Sequence, residues 1–494
     1  MKLTSVLVLL CACQHAPSHL ITSFTASPAA VSEGQPVTLH ADFHSGSIAE
    51  VLPLAAAMTS GTDLTTPAAR VSGLPQETVT YTLQVTNAGK TETATATVVV
   101  TRVPGTPLIS ARTTVNAHET DLVASVSPED GVAYSWTVSG GSAAILTGST
   151  ISYAASDAGT LTLNCTATNS VGGRVAAAPL AARVVGVTAI ASGFTNLRGV
   201  AVDRHDAIFV TDTVASPTPN VSFVRRLTAN ATGYTVETIA GHDGASNCSD
   251  GVGAAAYFED ARDLTYDSRQ DRLVLAEHGA IAGTSRVRYV TSNGTVATGY
   301  VQDDSDSCHP GADTVASVAQ ITAVAVDALD RIWALSESGT VVDLASPTDS
   351  AAAGGAGHIA FASDGALLFS PAASQPLQRA TTLNGTFTFA GFIGNGFPSA
   401  DGSAGQATAA SFGALVTAGS ASVFVDGDLI RKVSADGAVS TLLGTPALTR
   451  HTTVPLAPGE LDAAIVGVAA LSTGDLILIT PTTVLLARLP EGAL

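Results

Sequence analysis

Charged residues are scarce in this chain, and basic residues are the scarcer kind. Asp and Glu total 41 against 22 Lys and Arg, charged residues make up 13% of the 494 positions, and the formal net charge is −19. A chain this acidic repels phosphate backbones, and no basic stripe along the sequence offsets the repulsion. Nucleic acid is therefore not an expected partner.

Methionine, tryptophan and long apolar runs are also rare. The chain has two Met and two Trp, and Val, Thr, Ala and Gly outnumber the strong helix formers, a bias that favours strands and turns. After residues 3–10, no apolar run approaches the ~20 residues that a membrane helix requires. The composition predicts an all-β protein, and the length suggests about three domains.

The first thirteen residues, 1–13, have the features of an export signal. Lys2 precedes an apolar run that is too short for a stable membrane helix. The run ends in LCAC, which resembles a bacterial lipobox and implies a lipoprotein signal peptide with Cys13 as the lipidated residue. Gln14 implies, by the same resemblance, an outer-membrane lipoprotein held only by its lipid anchor. An ordinary secretory signal cut nearby is the alternative.

Two consecutive regions, 20–103 and 104–184, consist of short apolar runs separated by turn residues. Apolar and polar residues alternate in VTLHA at 37–41 and in YTLQV at 81–85, which predicts sheets with one buried face. Both regions resemble bacterial immunoglobulin-like modules. The resemblance implies two β-sandwiches.

Cys165 lies on the strand that carries a bridging cysteine in immunoglobulin sandwiches, and Trp136 lies where such sandwiches have a core tryptophan. The opposing strand at 121–126 offers no cysteine partner. We therefore expect Cys165 to be a buried free thiol that packs as a small apolar side chain. A catalytic or metal-binding role is the alternative.

The region 185–494 is repetitive. Its repeats contain two apolar runs around a turn of Asp, Gly or Ser, and several continue with a basic third strand and a fourth strand. Four short strands per repeat, with six repeats, predict a six-bladed β-propeller. The repeats begin near Leu197, Ala261, Ile321, His358, Gly413 and Ile465.

These repeats resemble NHL repeats, within the wider group of TolB-like propellers. A strand ending in Ala-Gly, a loop with Asp-Gly, an aromatic residue, two apolar strands and a basic strand follow one another at 239–290 and again at 389–433. The third and fourth repeats depart from the pattern, because Ser336 and Ser370 stand near the usual acidic position. The resemblance implies the fold more strongly than it implies an activity.

The last repeat supplies a third strand, VLLARLPEGAL, with no fourth strand after it. The segment VTAIASG at 187–193 precedes the first repeat and has the pattern of a fourth strand. We expect this segment to complete the last blade, because the pairing would close the ring and remove two sheet edges.

Cys248 and Cys308 occupy matching positions in neighbouring repeats, and each is followed by Gly three residues later. In an exported and oxidising setting, this match predicts a disulfide. Closing a loop of this size would contribute about 4 kcal/mol in the chain-entropy model. Two free thiols, or a metal pair with His309, are the alternatives.

An acidic run lies next to Cys308. Its residues Asp303, Asp304 and Asp306 are candidate calcium ligands, because calcium prefers clustered oxygen donors. The spacing of an EF-hand is absent, and a solvated acidic loop is the alternative. No cofactor is otherwise expected.

Catalytic motifs are absent from the sequence. It has no HExxH and no GxSxG, and its histidines are scattered, with His205 and His278 expected at the surface. We therefore favour a surface-exposed binding or adhesion protein whose propeller recognises a protein or glycan, and not an enzyme. The alternative, implied by resemblance to propeller enzymes, is a metal-dependent lactonase- or esterase-like hydrolase, or a lyase, with its site in the central channel.

Overall fold

The computed structural model describes residues 18–45, 47–215, 220–230, 233–243, 249–279, 284–302, 312–315, 320–371, 375–396, 399–427, 429–444 and 464–494. The chain divides into two compact units: unit 1 comprises 1–113, 120–154 and 161–182, and unit 2 comprises 114–119, 155–160 and 183–494.

Several predicted site residues lie outside the described residues, so the lipidation, disulfide and calcium sites stay predictions. They are Cys13, Cys248, Cys308, His309, Asp303, Asp304 and Asp306.

The first part of unit 1 forms two sheets around one core. Its strands are β1 (Ile21–Ser27), β2 (Ala30–Ser32), β3 (Pro36–Phe43), β4 (Ile48–Leu52), β5 (Ala56–Ala57), β6 (Thr62–Pro67), β7 (Gln76–Asn87) and β8 (Lys90–Thr101). One sheet has the order β1-β3-β6 and the other β2-β8-β7-β4-β5. Leu39 and Leu83 are fully buried in the shared core, as the period-two alternation predicts.

The next part of the chain forms the strands β9 (Thr114–Asn116), β10 (Leu122–Ser125), β11 (Val132–Ser139), β12 (Gly141–Ser142), β13 (Thr150–Ala155), β14 (Gly159–Asn169), β15 (Arg174–Ala176) and β16 (Leu180–Ser192). Strands β10, β13 and β12 form one sheet, and β11 pairs with β14. Trp136 lies opposite Cys165 in that pairing, and both are buried. Cys165 is a free thiol whose pKa is raised by burial, so the expectation of an apolar packing role is confirmed.

Asn169 connects the two parts of unit 1. Its side-chain amide donates hydrogen bonds to the Ser32 hydroxyl at 2.8 Å and to the Arg102 carbonyl at 2.9 Å. Asn169 and Ser32 are both buried, and hydrogen bonds in such a setting are costly to leave unmade. The junction within unit 1 is therefore held by specific polar contacts.

Most of unit 2 is built from successive antiparallel sheets. In the described residues, consecutive strands pair within β17–β20, β22–β25, β27–β30, β31–β34 and β36–β39, with β21, β26 and β35 as short additions. A single turn of 3-10 helix spans Gly253–Ala255. The strands are β17 (Leu197–Val202), β18 (Ile208–Val214), β19 (Val221–Asn230), β20 (Gly233–Ala240), β21 (Gly251–Val252), β22 (Asp260–Asp267), β23 (Arg272–His278), β24 (Ser285–Thr291), β25 (Thr295–Val301), β26 (Asp313–Thr314), β27 (Ile321–Val326), β28 (Ile332–Ser336), β29 (Thr340–Asp343), β30 (Ser350–Ala352), β31 (Gly357–Phe361), β32 (Leu367–Pro371), β33 (Leu377–Ala380), β34 (Ala390–Asn395), β35 (Thr408–Ala409), β36 (Leu415–Ala418), β37 (Ala421–Asp426), β38 (Leu429–Val433), β39 (Val439–Leu443), β40 (Gly467–Ala470), β41 (Leu476–Ile479) and β42 (Thr483–Arg488).

The remaining sheet of unit 2 joins distant parts of the chain. Strands β40, β41 and β42 pair in that order, and β42 then pairs with β16. The register between β42 and β16 runs from Gly186 opposite Arg488 to Ser192 opposite Thr483. The predicted pairing of segment 187–193 with the last repeat is therefore confirmed.

The recurring Asp-Gly loops hold outer strands together. Asp250 accepts hydrogen bonds from Arg288 on β24 and from both the backbone and the hydroxyl of Thr298 on β25. Asp401 contacts Arg431 and Thr441 in the same way in a later sheet. These loops therefore serve packing, and the aromatic residue that follows the first loop, Phe258, is fully buried.

The acidic end of the second strand and the basic third strand of a repeat pair with each other. Arg288 and Arg431 are fully buried in these contacts. Removing one partner of such a pair leaves an uncompensated buried charge, at a cost of about 3–5 kcal/mol. The pairs are Asp212–Arg225 at 2.9 Å, Glu277–Arg288 at 2.7 Å and Asp426–Arg431 at 2.8 Å.

We predict that a chain ending after Thr480 loses the cooperative unfolding of unit 2. Without β42, β41 loses one of its two neighbours and residues 186–192 of β16 lose the strand they pair with. The buried side chains of Val484, Ala487 and Leu489 are also removed. Circular dichroism during heating measures the transition. A control chain that ends after Pro490 keeps β42 and should melt cooperatively; if the shorter chain melted with the same midpoint, the closure would not stabilise the unit.

Candidate functional site

A cavity of about 290 Å³ in unit 2 is lined by one strand from each of its main sheets. We call this cavity, bounded by β17, β22, β27, β31, β36 and β40, the central channel. Most of its wall is small or apolar, as with Ala201, Val324, Ile359 and Val468. Ionisable groups in such a wall are the first candidates for function, because burial shifts their pKa values.

Asp263 and His358 form an ionisable pair inside the channel. Asp263 lies on β22 and accepts a hydrogen bond from the Val324 backbone N–H at 3.0 Å, while His358 lies on β31. Both side chains line the cavity and keep part of their surface open to its interior. We call these two residues the channel pair.

Burial and mutual attraction act in opposite directions on the channel pair. Burial raises the pKa of Asp263, and the charge of His358 and the N–H donors of Val324 and Leu264 oppose that rise. Burial also lowers the pKa of His358, against the attraction of Asp263. Because the charge of each group acts on the other, the two titrate as a unit.

Small residues at aligned positions leave room for the channel pair. In the matching motifs LRGVAVD, ARDLTYD and ITAVAVD, Asp263 aligns with Gly199 on β17 and with Ala323 on β27. A Cβ at Gly199 would lie 2.7 Å from the backbone N of Leu264, so the close approach of β17 and β22 excludes a side chain there. Ala323 lies on β27, the channel strand between β22 and β31, and its side chain is only a methyl group.

One end of the channel, where β17 and β22 begin, carries a second polar cluster. It contains Arg198, Asp260, Arg262 and His278, which we call the entrance cluster. His278 was expected at the surface; it lies at a strand end and is partly exposed, with its Nε2 shielded from solvent. The end of β23 lies beside the start of β22 through their antiparallel pairing. His205, by contrast, is exposed as expected.

The pKa of His278 reflects this setting. Burial is the largest cause that lowers the pKa of His278, and the charge of Arg262 lowers it further. Asp260, the Ile321 backbone and Glu337 raise this pKa. The neutral imidazole is therefore favoured. A neutral ring nitrogen can accept a hydrogen bond or a proton.

Sequence reasoning identified neither the channel pair nor the entrance cluster. Their members come from separate repeats, so no fixed spacing connects them. The signal that was available is the presence of Asp263 and His358 in innermost strands whose aligned residues are small or apolar. Within the described ranges, no group of three or more His, Cys, Asp or Glu side chains could hold a metal ion, and no helix there is long and apolar enough to cross a membrane.

Comparison with protein families identifies one region of the chain. The model described as "PKD domain" matches residues 109–180, which gives this part an immunoglobulin-like fold and agrees with the expectation for 104–184. No curated protein matches the chain.

Comparison with solved structures returns remote similarities. The chain is similar to a streptogramin B lyase (11% identity, 62% of this chain and 97% of the other, TM-score 0.37). It is also similar to a gluconolactonase from Xanthomonas campestris, with 14% identity, 62% of this chain and 89% of the other covered, and a TM-score of 0.37. For a glucose dehydrogenase the identity is 12%, the coverage is 61% of this chain and 98% of the other, and the TM-score is 0.35. Similarity at this level carries no argument about activity, so the function has to be argued from the channel itself.

We predict that Asp263→Asn raises the midpoint of thermal unfolding at pH 7. The folded-state pKa of Asp263 is raised by burial, so its stabilising contribution is complete below the unfolded pKa and is lost as the pH rises through the folded pKa. Asn cannot ionise but still accepts the Val324 hydrogen bond. The gain over wild type should therefore shrink as the pH falls from the folded pKa towards the unfolded value of about 3.9, and it should be absent below that pH.

The matched control for this variant is Asp330→Asn. Asp330 is partly exposed and accepts a hydrogen bond from the Gln270 side chain at 3.0 Å, which an Asn oxygen can also accept. Its φ of 68° is a backbone conformation that Asn tolerates. Its midpoint should equal that of wild type at each pH. A lower midpoint for Asp263→Asn at pH 7 would show that the attraction within the channel pair outweighs the burial of its charges.

Proposed function

We propose that unit 2 is a six-bladed propeller of the NHL type whose central channel binds a small polar molecule. The single observation that carries the proposal is the channel pair. Two ionisable side chains stand among lining residues that are mostly small or aliphatic, and burial disfavours the charge of each. Polar groups kept at such a cost to stability are typical of binding and catalytic sites.

The sheet order supports the propeller proposal. Each of the described main sheets has four strands in sequential antiparallel order, and the last takes its fourth strand from β16. Radial repetition with this closure leaves only short sheet edges. In the same proposal, the regions 20–103 and 104–184 are two immunoglobulin-like sandwiches that precede the propeller.

The size of the channel limits the ligand. At about 290 Å³, the cavity is at the lower end of the roughly 300–1,000 Å³ of small-molecule sites. A folded protein cannot enter it, whereas one sugar residue of a glycan is of suitable size and polarity. We therefore favour a glycan or a free sugar over a protein as the partner at this site.

Binding in the channel can be tested by calorimetric titration of the purified protein with a panel of neutral and acidic monosaccharides. At least one should bind, and Asp263→Asn should weaken its binding about tenfold or more, because a hydrogen bond to a charged group is worth about 1.5–3 kcal/mol. Asp330→Asn should bind as wild type does. Equal binding by wild type and Asp263→Asn would place the site outside the channel.

The channel pair also favours a second function, the hydrolysis of a small ester or lactone. The lowered pKa of His358 keeps its imidazole neutral, as a general base for an attacking water requires. Asp263 would then stabilise the imidazolium that forms, and the proton would pass to the leaving oxygen. Turnover of the bound sugar derivative during the titration would favour this enzyme over a binding module.

We further propose that the protein is exported, lipidated at Cys13 and exposed on the outer membrane. In a Gram-negative host, labelled palmitate should be incorporated into the wild type and should not be incorporated into Cys13→Ser, because the acylated thiol is then missing. Cys11→Ser is the matched control and should keep the label. A labelled Cys13→Ser protein, or wild type that external reagents fail to reach on intact cells, would contradict this location.

A further inference from the structure

The entrance cluster lies at the end of the channel where the first two innermost strands begin. Arg198 is the second residue of β17, and Asp260 and Arg262 are the first and third residues of β22. His278 ends β23 and lies opposite Asp260 in the register. Arg198 itself lines the cavity, so a ligand in the channel can reach its guanidinium.

Pairing inside the entrance cluster is incomplete. Arg262 directs its Nε and one terminal nitrogen to the same oxygen, Oδ2 of Asp260, both at 2.7 Å. The other oxygen of Asp260 has no hydrogen-bond partner among the described residues, although Asp260 is only 9% exposed. The Nε of Arg198 and the Nε2 of His278 are likewise buried without a partner there. Three polar atoms are therefore buried without a partner among the described residues beside the strands that bound the channel.

The charges of the entrance cluster do not balance. Two guanidinium groups share one close carboxylate, and among the described residues Arg198 makes no ion pair. Burial is the main cause that lowers the pKa of Arg198. The charge of Asp260 raises this pKa, and repulsion from Arg262 lowers it further. Glu337, which acts on His278, is exposed, so solvent screens it. One partly buried cation thus stays uncompensated in a chain with a net charge of −19.

We propose that the entrance cluster binds an oxyanion, the carboxylate or phosphate of a small hydroxylated molecule, with Arg198 as its ion-pair partner. The planar guanidinium of Arg presents paired donors that match either group. Arg198 is the member of the entrance cluster that lines the cavity, and Asp260 and Arg262 act on its charge from beside the wall. This inference rests on the proposed function, since the rest of the molecule would occupy the channel next to Asp263 and His358.

The test is the thermal stability of the full protein in phosphate, in acetate and in sodium chloride at equal ionic strength. An anion that binds only the folded state raises the midpoint in proportion to RT ln(1 + [L]/Kd). Wild type should gain stability in phosphate, in acetate or in both, relative to chloride. A gain with phosphate alone indicates a phosphorylated ligand, and a gain with acetate indicates a carboxylate.

Two variants give the test its specificity. Arg198→Gln removes the uncompensated cation and should lose the anion-dependent gain, while its midpoint in chloride stays at or above that of wild type. Arg204→Gln makes the same change of charge at an exposed pair with Asp271 and should keep the gain. Wild type without a gain over chloride, or Arg198→Gln with the full gain, would overturn the inference.

The outcome is separable from that of the proposed function. Asp263→Asn leaves the entrance cluster intact and should keep the anion-dependent gain while losing monosaccharide binding. Loss of the gain in Arg198→Gln, with no monosaccharide bound by wild type, would support the oxyanion site and contradict the sugar proposal. If wild type binds a monosaccharide and Arg198→Gln keeps the anion-dependent gain, the oxyanion site is contradicted and the sugar proposal is not.

Discussion

The pairing of β16 with β42 is the constraint on which unit 2 depends. A strand from the beginning of the repeat region completes the sheet made by its end, so every main sheet obtains four strands. The pairing removes two edges that would otherwise expose unpaired backbone groups. Because the channel is bounded by one strand from each sheet, its shape depends on the same closure.

Unit 2 places its polar groups in two settings that have different consequences. Between outer strands, buried arginines such as Arg288 and Arg431 are surrounded by carboxylate partners, and the ion pairs are shared with backbone and threonine donors. In the channel, Asp263, His358 and Arg198 have few partners, and burial opposes their charges. The first setting stabilises the blades, and the second leaves polar atoms available to a ligand.

Repetition made the outer polar contacts visible in the sequence. The Asp-Gly loop, the acidic strand end and the basic strand recur with regular spacing, because the same ion pairs and hydrogen bonds hold the outer strands in several repeats. The contacts of Asp250 with Arg288 and Thr298 show that the first Asp-Gly loop serves packing. His278 at the end of β23 is only partly exposed, because its ring packs beside the start of β22.

The sequence by itself determined the all-β character, the position of the strands in each repeat and the use of segment 187–193 to complete the last sheet. These features follow from local periodicity and repetition, which a single sequence displays directly. Only the tertiary structure decided that Asp263 and His358 line the same cavity and that Arg198 lies near Asp260, Arg262 and His278. These residues come from different sheets, and each contributes one side chain to a shared space. Their proximity is set by how the sheets pack around the channel, and no spacing along the chain records it.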